Sequence, residues 1–176
     1  MSKWTTHLWR AALFTLIIAS VFWLGAVNVR AIIGNDMLKP GTLEFEEYLD
    51  PEAEREIFRL ISFTSVLIMI SYAAVTLSGT VFLVTSPYRM RENGWLLMSA
   101  ILFYVFLPVE IFTMVLDGRM AYLEFFTTAG NDVFRELFRA RVSALAGAPV
   151  IALLSYYTII ALAVFRPFTR RAAPKP

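Results

Sequence analysis

The sequence predicts an all-α integral membrane protein: a four-helix bundle of two αα hairpins, with helical extensions of spans 2 and 4 on the outer side. Its residues are 58% hydrophobic and only 17% charged, whereas a soluble domain averages about 25% charged. Four long runs carry little or no charge, and the mean hydropathy is +0.62. At 176 residues, the chain has room for a single transmembrane domain, 1–176.

The four apolar runs place the membrane spans. We predict spans at about 9–29, 60–86, 95–116 and 142–165. The two outer segments that connect them are 30–59 and 117–141. A span needs roughly 20 apolar residues, and about 17 to 25 are observed, so all four runs qualify. The first run exceeds the about 7–15 residues of a signal-peptide core, which favours an uncleaved signal anchor over a cleaved signal peptide.

Basic residues indicate how the chain is oriented. With both termini in the cytoplasm, the inner and the outer segments carry eight Lys and Arg residues each, so the raw count does not decide. The inner segments are much shorter, and their basic residues lie close to span ends, where the positive-inside bias acts. Trp4, Trp9 and Trp95 would share that interface as an aromatic belt. We therefore expect cytoplasmic termini in a plasma or inner cell membrane.

Two helices are expected to project beyond the membrane. Asp50 is suited to cap a helix that starts at Pro51, because proline is favoured at the first helical position. Nothing interrupts the helical pattern before Ser86, which predicts a helix of about 36 residues, roughly 54 Å long. That length exceeds the roughly 30 Å hydrocarbon core. A second long helix is expected to start at Asn131 or Asp132 and to run through Phe165.

The two projecting helix starts resemble each other. The segments 55–59 (REIFR) and 135–139 (RELFR) match in residue type at all five positions and lie 80 residues apart. An internal duplication would explain the match. Chance recurrence of a short amphipathic pattern is the simpler explanation.

Spans 2 and 4 carry candidate helix-packing faces. In span 2, polar residues recur mostly at three- and four-residue steps: Ser62, Ser65, Tyr72, Thr76 and Thr80. In span 4, small residues recur every four positions: Ala144, Ala148 and Ala152. Small residues let helices approach closely in lipid, and hydroxyls can bond across helices. These faces predict packing within the bundle, and the alternatives are a water-lined pore or a face for a second protein.

Glu110 is the most informative single residue. It follows 15 uncharged residues, 95–109, and an intramembrane carboxylate is costly unless it meets a partner, a cavity or a pathway. Pro108 and Pro149 should bend their helices. The polar residues expected at a similar depth, which complete a candidate intramembrane charge site, are Asn28, Arg30, Arg59, Arg139 and Arg141. Glu110 would serve as a structural ion-pair partner, as an ion or proton site, or as a contact with a partner span.

Composition also limits the chemistry. The chain has no cysteine and a single histidine, His7, so thiolate catalysis, cysteine-ligated metals and a bis-histidine haem within the bundle are not expected. We expect no catalytic residues, no metal, no cofactor and no nucleic-acid partner. The partners expected are the lipid bilayer and either another membrane protein or a second copy of the chain.

These observations favour a non-enzymatic four-span membrane protein that acts through protein contacts, as an accessory, assembly or sensing subunit or as a homo-oligomer. The alternative is an oligomeric ion channel or small transporter that uses Glu110 and the hydroxyl-lined face of span 2. A lipid-acting enzyme is a weaker third hypothesis.

Overall fold

The protein is all-helical. The computed structural model describes residues 3–46 and 50–169. Its five α-helices are α1 (Lys3–Asp36), α2 (Pro51–Thr85), α3 (Gly94–Phe126), α4 (Asn131–Ser143) and α5 (Ala148–Phe165). A short 3-10 helix, Ala144–Gly147, connects α4 to α5 and is called the elbow below.

Four of these helices are long and apolar enough to cross a membrane: α1, α2, α3 and α5. The prediction of four such helices, as in a multi-pass membrane protein, is therefore confirmed. The first three contain 34, 35 and 33 residues, which is about 50 Å each, and α5 contains 18, about 27 Å. Both α1 and α3 extend well beyond the predicted spans 9–29 and 95–116.

The start of α2 follows from its sequence. Asp50 is the N-cap, and its side chain accepts a hydrogen bond of 3.3 Å from the backbone N–H of Glu52. Pro51 occupies the first helical position, where its missing N–H costs nothing. The helix then continues without a break to Thr85, as the sequence predicts.

The helix α3 does not end where the apolar run ends. Asp117, Arg119 and Glu124 all lie within it, and it continues to Phe126. Charged residues are compatible with a helix outside lipid, so the apolar run marks a change of environment rather than the helix end. The actual end is at Thr127, whose N–H bonds to the carbonyl of Leu123. Pro108 lies inside this helix without terminating it.

The expectation of one helix from residue 131 through Phe165 is wrong, because the elbow interrupts it. Pro149 has no N–H, and its ring crowds the carbonyl of Leu145, four residues earlier. Leu145 adopts a positive φ of 57°, and Gly147 adopts 87°. Glycine enters that left-handed region at no steric cost. No glycine lies near Pro108, where the helix persists.

Two aromatic clusters close the ends of the helical bundle. At the end that holds α4, the buried apolar residues are Met37, Phe45, Phe58, Ile61, Met120, Phe134 and Phe138. At the other end, the Trp95 end, the rings of Trp9, Tyr88 and Trp95 form edge contacts, and the Arg166 guanidinium lies 5.7 Å from the Trp95 ring centroid. The related segments 55–59 and 135–139 both contribute to the cluster at the α4 end, through Phe58 and Phe138. Packing in one cluster is compatible with both duplication and chance recurrence, so it does not decide between them.

The helices leave one seam weakly packed. Extensive contacts join α1 to α2, α2 to α3, and α3 to α5. By contrast, α1 and α5 have at most marginal backbone contact in the described part of the chain. A cavity therefore lies between α1 and the α4–α5 arm, with α3 as its floor.

The elbow gives a direct test of the fold. We expect Gly147→Ala to lower the free energy of unfolding by about 1–2 kcal/mol, because a Cβ disfavours the left-handed conformation. An added Cβ at Gly147 or at Gly25 meets nothing within 4 Å, so Gly25→Ala in α1 is a matched control. The control should not destabilise the protein, since alanine favours helix. Unfolding in mixed detergent micelles measures both variants, and equal stabilities would contradict this account of the elbow.

Candidate functional site

The central buried charge is Asp117 rather than Glu110. Asp117 lies on α3, and its side chain is fully shielded from solvent. Its Oδ2 accepts a hydrogen bond of 2.6 Å from Arg30 Nη1, and its Oδ1 accepts one of 3.1 Å from Arg141 Nε. One carboxylate thus connects α1, α3 and α4 through two ion pairs.

Local structure brings these three residues together. Arg30 lies near the end of α1, and Arg141 lies in the last turn of α4, directly before the elbow. Seven residues separate Glu110 from Asp117, which is about two helical turns, so both carboxylates lie on the same side of α3. Sequence analysis treated Asp117 as the outer boundary of a span. The seven-residue spacing was the signal that would have placed it beside Glu110.

The ion-paired group continues onto α2. Arg30 Nη1 also donates to Ser65 Oγ at 3.1 Å, and Ser65 donates to the carbonyl of Ile61 at 2.8 Å. Burial lowers the pKa of the Arg141 guanidinium, and the neighbouring Asp117 carboxylate opposes that effect. Arginine nevertheless stays charged in proteins. The contacts of Asp117 are therefore charge-assisted, a class of hydrogen bond stronger than neutral ones.

Glu110 occupies a different part of the same site. Its side chain is half-buried, and it lines the cavity between α1 and the α4–α5 arm together with Arg30, Asp117 and Arg141. That cavity has a volume of about 370 Å³. Within residues 3–46 and 50–169, Glu110 makes no ion pair with an N···O distance of 4.0 Å or less.

The structure separates the other members of the predicted charge site. Asn28 donates 2.6 Å hydrogen bonds to the carbonyl of Leu24 and to the Tyr157 hydroxyl, and the second of these connects α1 to α5. The two remaining arginines are not brought to Glu110: Arg59 pairs with Glu56, and Arg139 donates to the carbonyl of Leu43. Both lie at the α4 end, where Arg139 also lies over the Phe45 ring, 5.2 Å from its centroid.

A second ion-paired group, which the sequence analysis missed, fixes the α4 end. The buried Glu54 accepts bidentate hydrogen bonds of 2.5 and 2.8 Å from Arg135, and a third from Asn131. Hydrogen bonding to Glu54 raises the pKa of Arg135. Arg55 contacts Glu124 at 2.8 Å. The first turns of α2 and of α4 are therefore joined by hydrogen bonds and an ion pair. In the sequence, the residues that form them resemble ordinary solvated helix charges.

The predicted polar face of α2 is only partly buried. Ser62, Ser65 and Tyr72 are buried, Thr76 is half-buried, and Thr80 is exposed. Four-residue steps advance about 40° beyond a full turn, so a stripe at 72, 76 and 80 drifts off the packed face. Most of these hydroxyls bond to their own helix, as Thr76 does to the carbonyl of Tyr72. Thr80 also contacts the Tyr104 hydroxyl at 2.7 Å and so connects α2 to α3.

The alanine pattern of span 4 falls across the elbow. Ala144 is in the 3-10 helix, and Ala148 and Ala152 are in α5, so the three do not share one continuous helix face. Ala152 is fully buried, Ala144 is buried, and Ala148 is half-buried. Close packing of α5 therefore depends mainly on Ala152, which belongs to the central core.

A group of buried aromatic residues lies beside the cavity. The Trp23 ring centroid is 4.8 Å from that of Tyr72 and 4.6 Å from that of Tyr156, so α1, α2 and α5 meet there. Trp23 Nε1 and both tyrosine hydroxyls are buried without a hydrogen bond of good geometry in the described residues, while the Tyr156 hydroxyl lies near the Tyr72 hydroxyl and the Glu110 carboxylate. Buried polar atoms usually have partners, so this cluster is an unusual one.

Comparisons with protein-family models, with curated proteins and with solved structures find no match to this chain. Among the residues that the structure describes, no group of three or more His, Asp or Glu side chains is arranged to hold a metal ion. The arrangement brings together two arginines, two carboxylates and an apolar cavity, a combination that can bind a charged group or fix helices in place.

We predict that Asp117→Asn is the most destabilising charge removal in this site. Breaking one partner of a buried ion pair costs about 3–5 kcal/mol, and Asp117 serves two arginines. Glu110→Gln should cost less, because no arginine contacts Glu110 directly. The control is Glu56→Gln, since Glu56 is exposed and its pair with Arg59 is worth at most about 1 kcal/mol. Unfolding titrations in detergent measure all three, and a larger loss for Glu110→Gln would contradict the assignment.

Proposed function

We propose that this chain is a non-enzymatic four-span membrane protein that acts through protein contacts, as an accessory, assembly or sensing subunit. The observation that carries the proposal is an exposed apolar groove at the α4 end, between the last turns of α3 and the helix α4. The groove has a volume of about 650 Å³. Its apolar lining includes Tyr122, Leu123, Val133 and Leu137, and Tyr122 is 60% exposed.

The proposed membrane placement leaves most of this groove outside lipid, with Val115 and Leu116 at the membrane boundary. We propose that α1 with α2, and α3 with α5, form the two hairpins, with both termini in the cytoplasm of a cell that carries the protein in its plasma or inner membrane. Helices of about 50 Å exceed the hydrocarbon core by about 20 Å. Asp117, Arg119 and Glu124 all lie in the last third of α3, which supports projection of that end. The aromatic residues and Arg166 at the Trp95 end suit a cytoplasmic interface.

The groove is held by a rigid frame. The Glu54–Arg135 and Arg55–Glu124 ion pairs hold α2, α3 and α4 in fixed relation over a core of aromatic rings. A surface that is fixed before binding loses less conformational entropy when a partner docks. Rigid apolar grooves between helices are typical receptors for a further helix.

We propose a helix of another membrane protein as the occupant. Two helical walls frame the groove, and its rim carries one charge of each sign, Arg119 and Glu136, both exposed. Rim charges of this kind select register and partner more than they add affinity. A second copy of this chain is the competing occupant.

The channel or transporter hypothesis has weaker support. It needs the hydroxyl face of α2 to line a water path, yet Ser65, Thr76 and Thr80 donate to carbonyls of their own helix. Glu110 does line a cavity, but so do the two arginines that hold Asp117. Ion flux through reconstituted protein would favour that hypothesis over ours.

The groove is tested by site-specific photo-crosslinking in native membranes. A photoreactive residue at Val133, inside the groove, should give one discrete adduct with another membrane protein. The same residue at Glu56, on the exposed side of α2, is the control and should not give that adduct. Adding Tyr122→Asp should abolish the Val133 adduct without loss of folded protein, because Tyr122 lines the groove and is 60% exposed, so the charge is placed on the docking surface and not in the core. Adducts to lipid alone would overturn the proposal, and an adduct of twice the chain mass would assign the groove to a second copy.

Orientation has its own test, which the absence of cysteine makes simple. We predict that Thr42→Cys, in the exposed connection between α1 and α2, reacts with a membrane-impermeant maleimide added to intact cells. Glu92→Cys, in the exposed turn between α2 and α3, should react only after the membrane is opened. The reverse pattern would place the groove in the cytoplasm.

A further inference from the structure

The cavity between α1 and the α4–α5 arm contains more positive charge at one end than its contacts neutralise. Arg30 and Arg141 share the single carboxylate of Asp117, so this trio carries a net charge of +1. Glu110 lies about 10 Å deeper along α3 and contacts neither arginine within 4.0 Å in the described chain. Glu110 attracts both arginines from that distance and offsets only part of this charge. The positive charge that remains at the arginine end favours binding of a further anion.

Both arginines have donors left for such an anion. Arg30 uses Nη1 for Asp117 and Ser65, and Arg141 uses Nε for Asp117. The remaining guanidinium nitrogens have no hydrogen-bond partner in the described part of the chain, and they are not sealed from the cavity that both side chains line. The two guanidiniums hold different oxygens of one carboxylate, so they lie close enough for one second anion to bridge them.

The rest of the cavity is apolar. Val27 of α1 and Val150 and Leu153 of α5 line it, on either side of the weakly packed seam between those two helices. Its volume, about 370 Å³, suits part of an amphiphile rather than a single ion. An amphiphile with its anionic head at the arginines and its apolar portion along α1 and α5 would match both the charged and the apolar part of the cavity.

We propose that this cavity is a binding site for a phosphate-bearing amphiphile, with Arg30 and Arg141 on the phosphate oxygens. Arginine's planar fork matches phosphate geometry, and paired arginines are the usual protein ligands of that group. The phosphate is supplied by an anionic phospholipid or by a smaller phosphate-bearing solute. Glu110 shares the cavity and weakens binding through like-charge repulsion. The site stands independently of the protein-contact function proposed above.

Glu110 gives the sharpest test, because its removal should improve binding. Purified protein is titrated with phosphatidylglycerol in neutral detergent, and native mass spectrometry counts the bound lipid. We expect one retained lipid per chain, and none when diacylglycerol, which lacks the phosphate, replaces it. Glu110→Gln should tighten phosphatidylglycerol binding roughly fifteenfold, because it removes a unit charge about 10 Å away at an effective dielectric constant near 20. The matched control Glu56→Gln removes the same charge from the exposed surface and should leave affinity unchanged.

A second arm identifies the source of the phosphate. Inorganic phosphate at millimolar concentration is added to the lipid-loaded protein, and native mass spectrometry measures the lipid that stays bound. Release of the lipid assigns the site to small phosphate-bearing solutes, and retention assigns it to a phospholipid. Equal binding of diacylglycerol and phosphatidylglycerol would overturn the proposal, as would equal affinities for Glu110→Gln and Glu56→Gln.

Discussion

The structure depends on one buried carboxylate that two arginines share. Asp117 is fully shielded, and removing a carboxylate from water is affordable only when charged partners replace the solvent. Those partners come from α1 and from α4, so the contact fixes where α1 ends relative to α3 and how α4 folds back. The elbow at Gly147 changes the chain direction between α4 and α5. Arg141 of α4 can therefore contact Asp117 while α5 packs along α3. The cavity lies where the backbones of α1 and α5 are farther apart, although the Trp23–Tyr156 and Asn28–Tyr157 contacts still join the two helices.

Elements set by local chemistry could be predicted from the sequence, and elements set by distant contacts could not. The four apolar helices and the Asp50–Pro51 start of α2 follow from hydropathy and capping, which act over a few residues. The elbow was missed because Pro149 alone does not decide between a bend and a break. The nearby Gly147, with its positive φ, allows the helix to break there, whereas α3 continues through Pro108 without a break. Apolar runs likewise stopped short of the helix ends, since charge ends a span and not a helix.

In the candidate site too, features set by local chemistry could be predicted and features set by distant contacts could not. The sequence placed Arg30, Arg141 and Glu110 at a similar depth as candidates for one charge site, and all three line the cavity, whereas Asp117 was taken for a boundary. The pairing of arginines with carboxylates depends on the rotation of each helix about its axis and on the direction of α4. Neither can be read from the spacing of residues in the sequence. The result is a protein with two distinct faces at its α4 end: an exposed apolar groove beside α4, and a charged cavity toward α1.

A double-mutant cycle between Asp117 and Arg141 measures the central interaction most directly. Unfolding free energies are determined in mixed micelles for Asp117→Asn, Arg141→Gln and the double variant, and the parallel cycle pairs Glu110→Gln with Arg141→Gln. Residues in direct contact within one ion-pair network couple by about 0.5–3 kcal/mol. This account predicts coupling in the upper part of that range for Asp117 with Arg141 and a clearly smaller value for Glu110 with Arg141. Coupling that is stronger for Glu110 than for Asp117 would contradict it and would make Glu110 the residue on which the bundle depends.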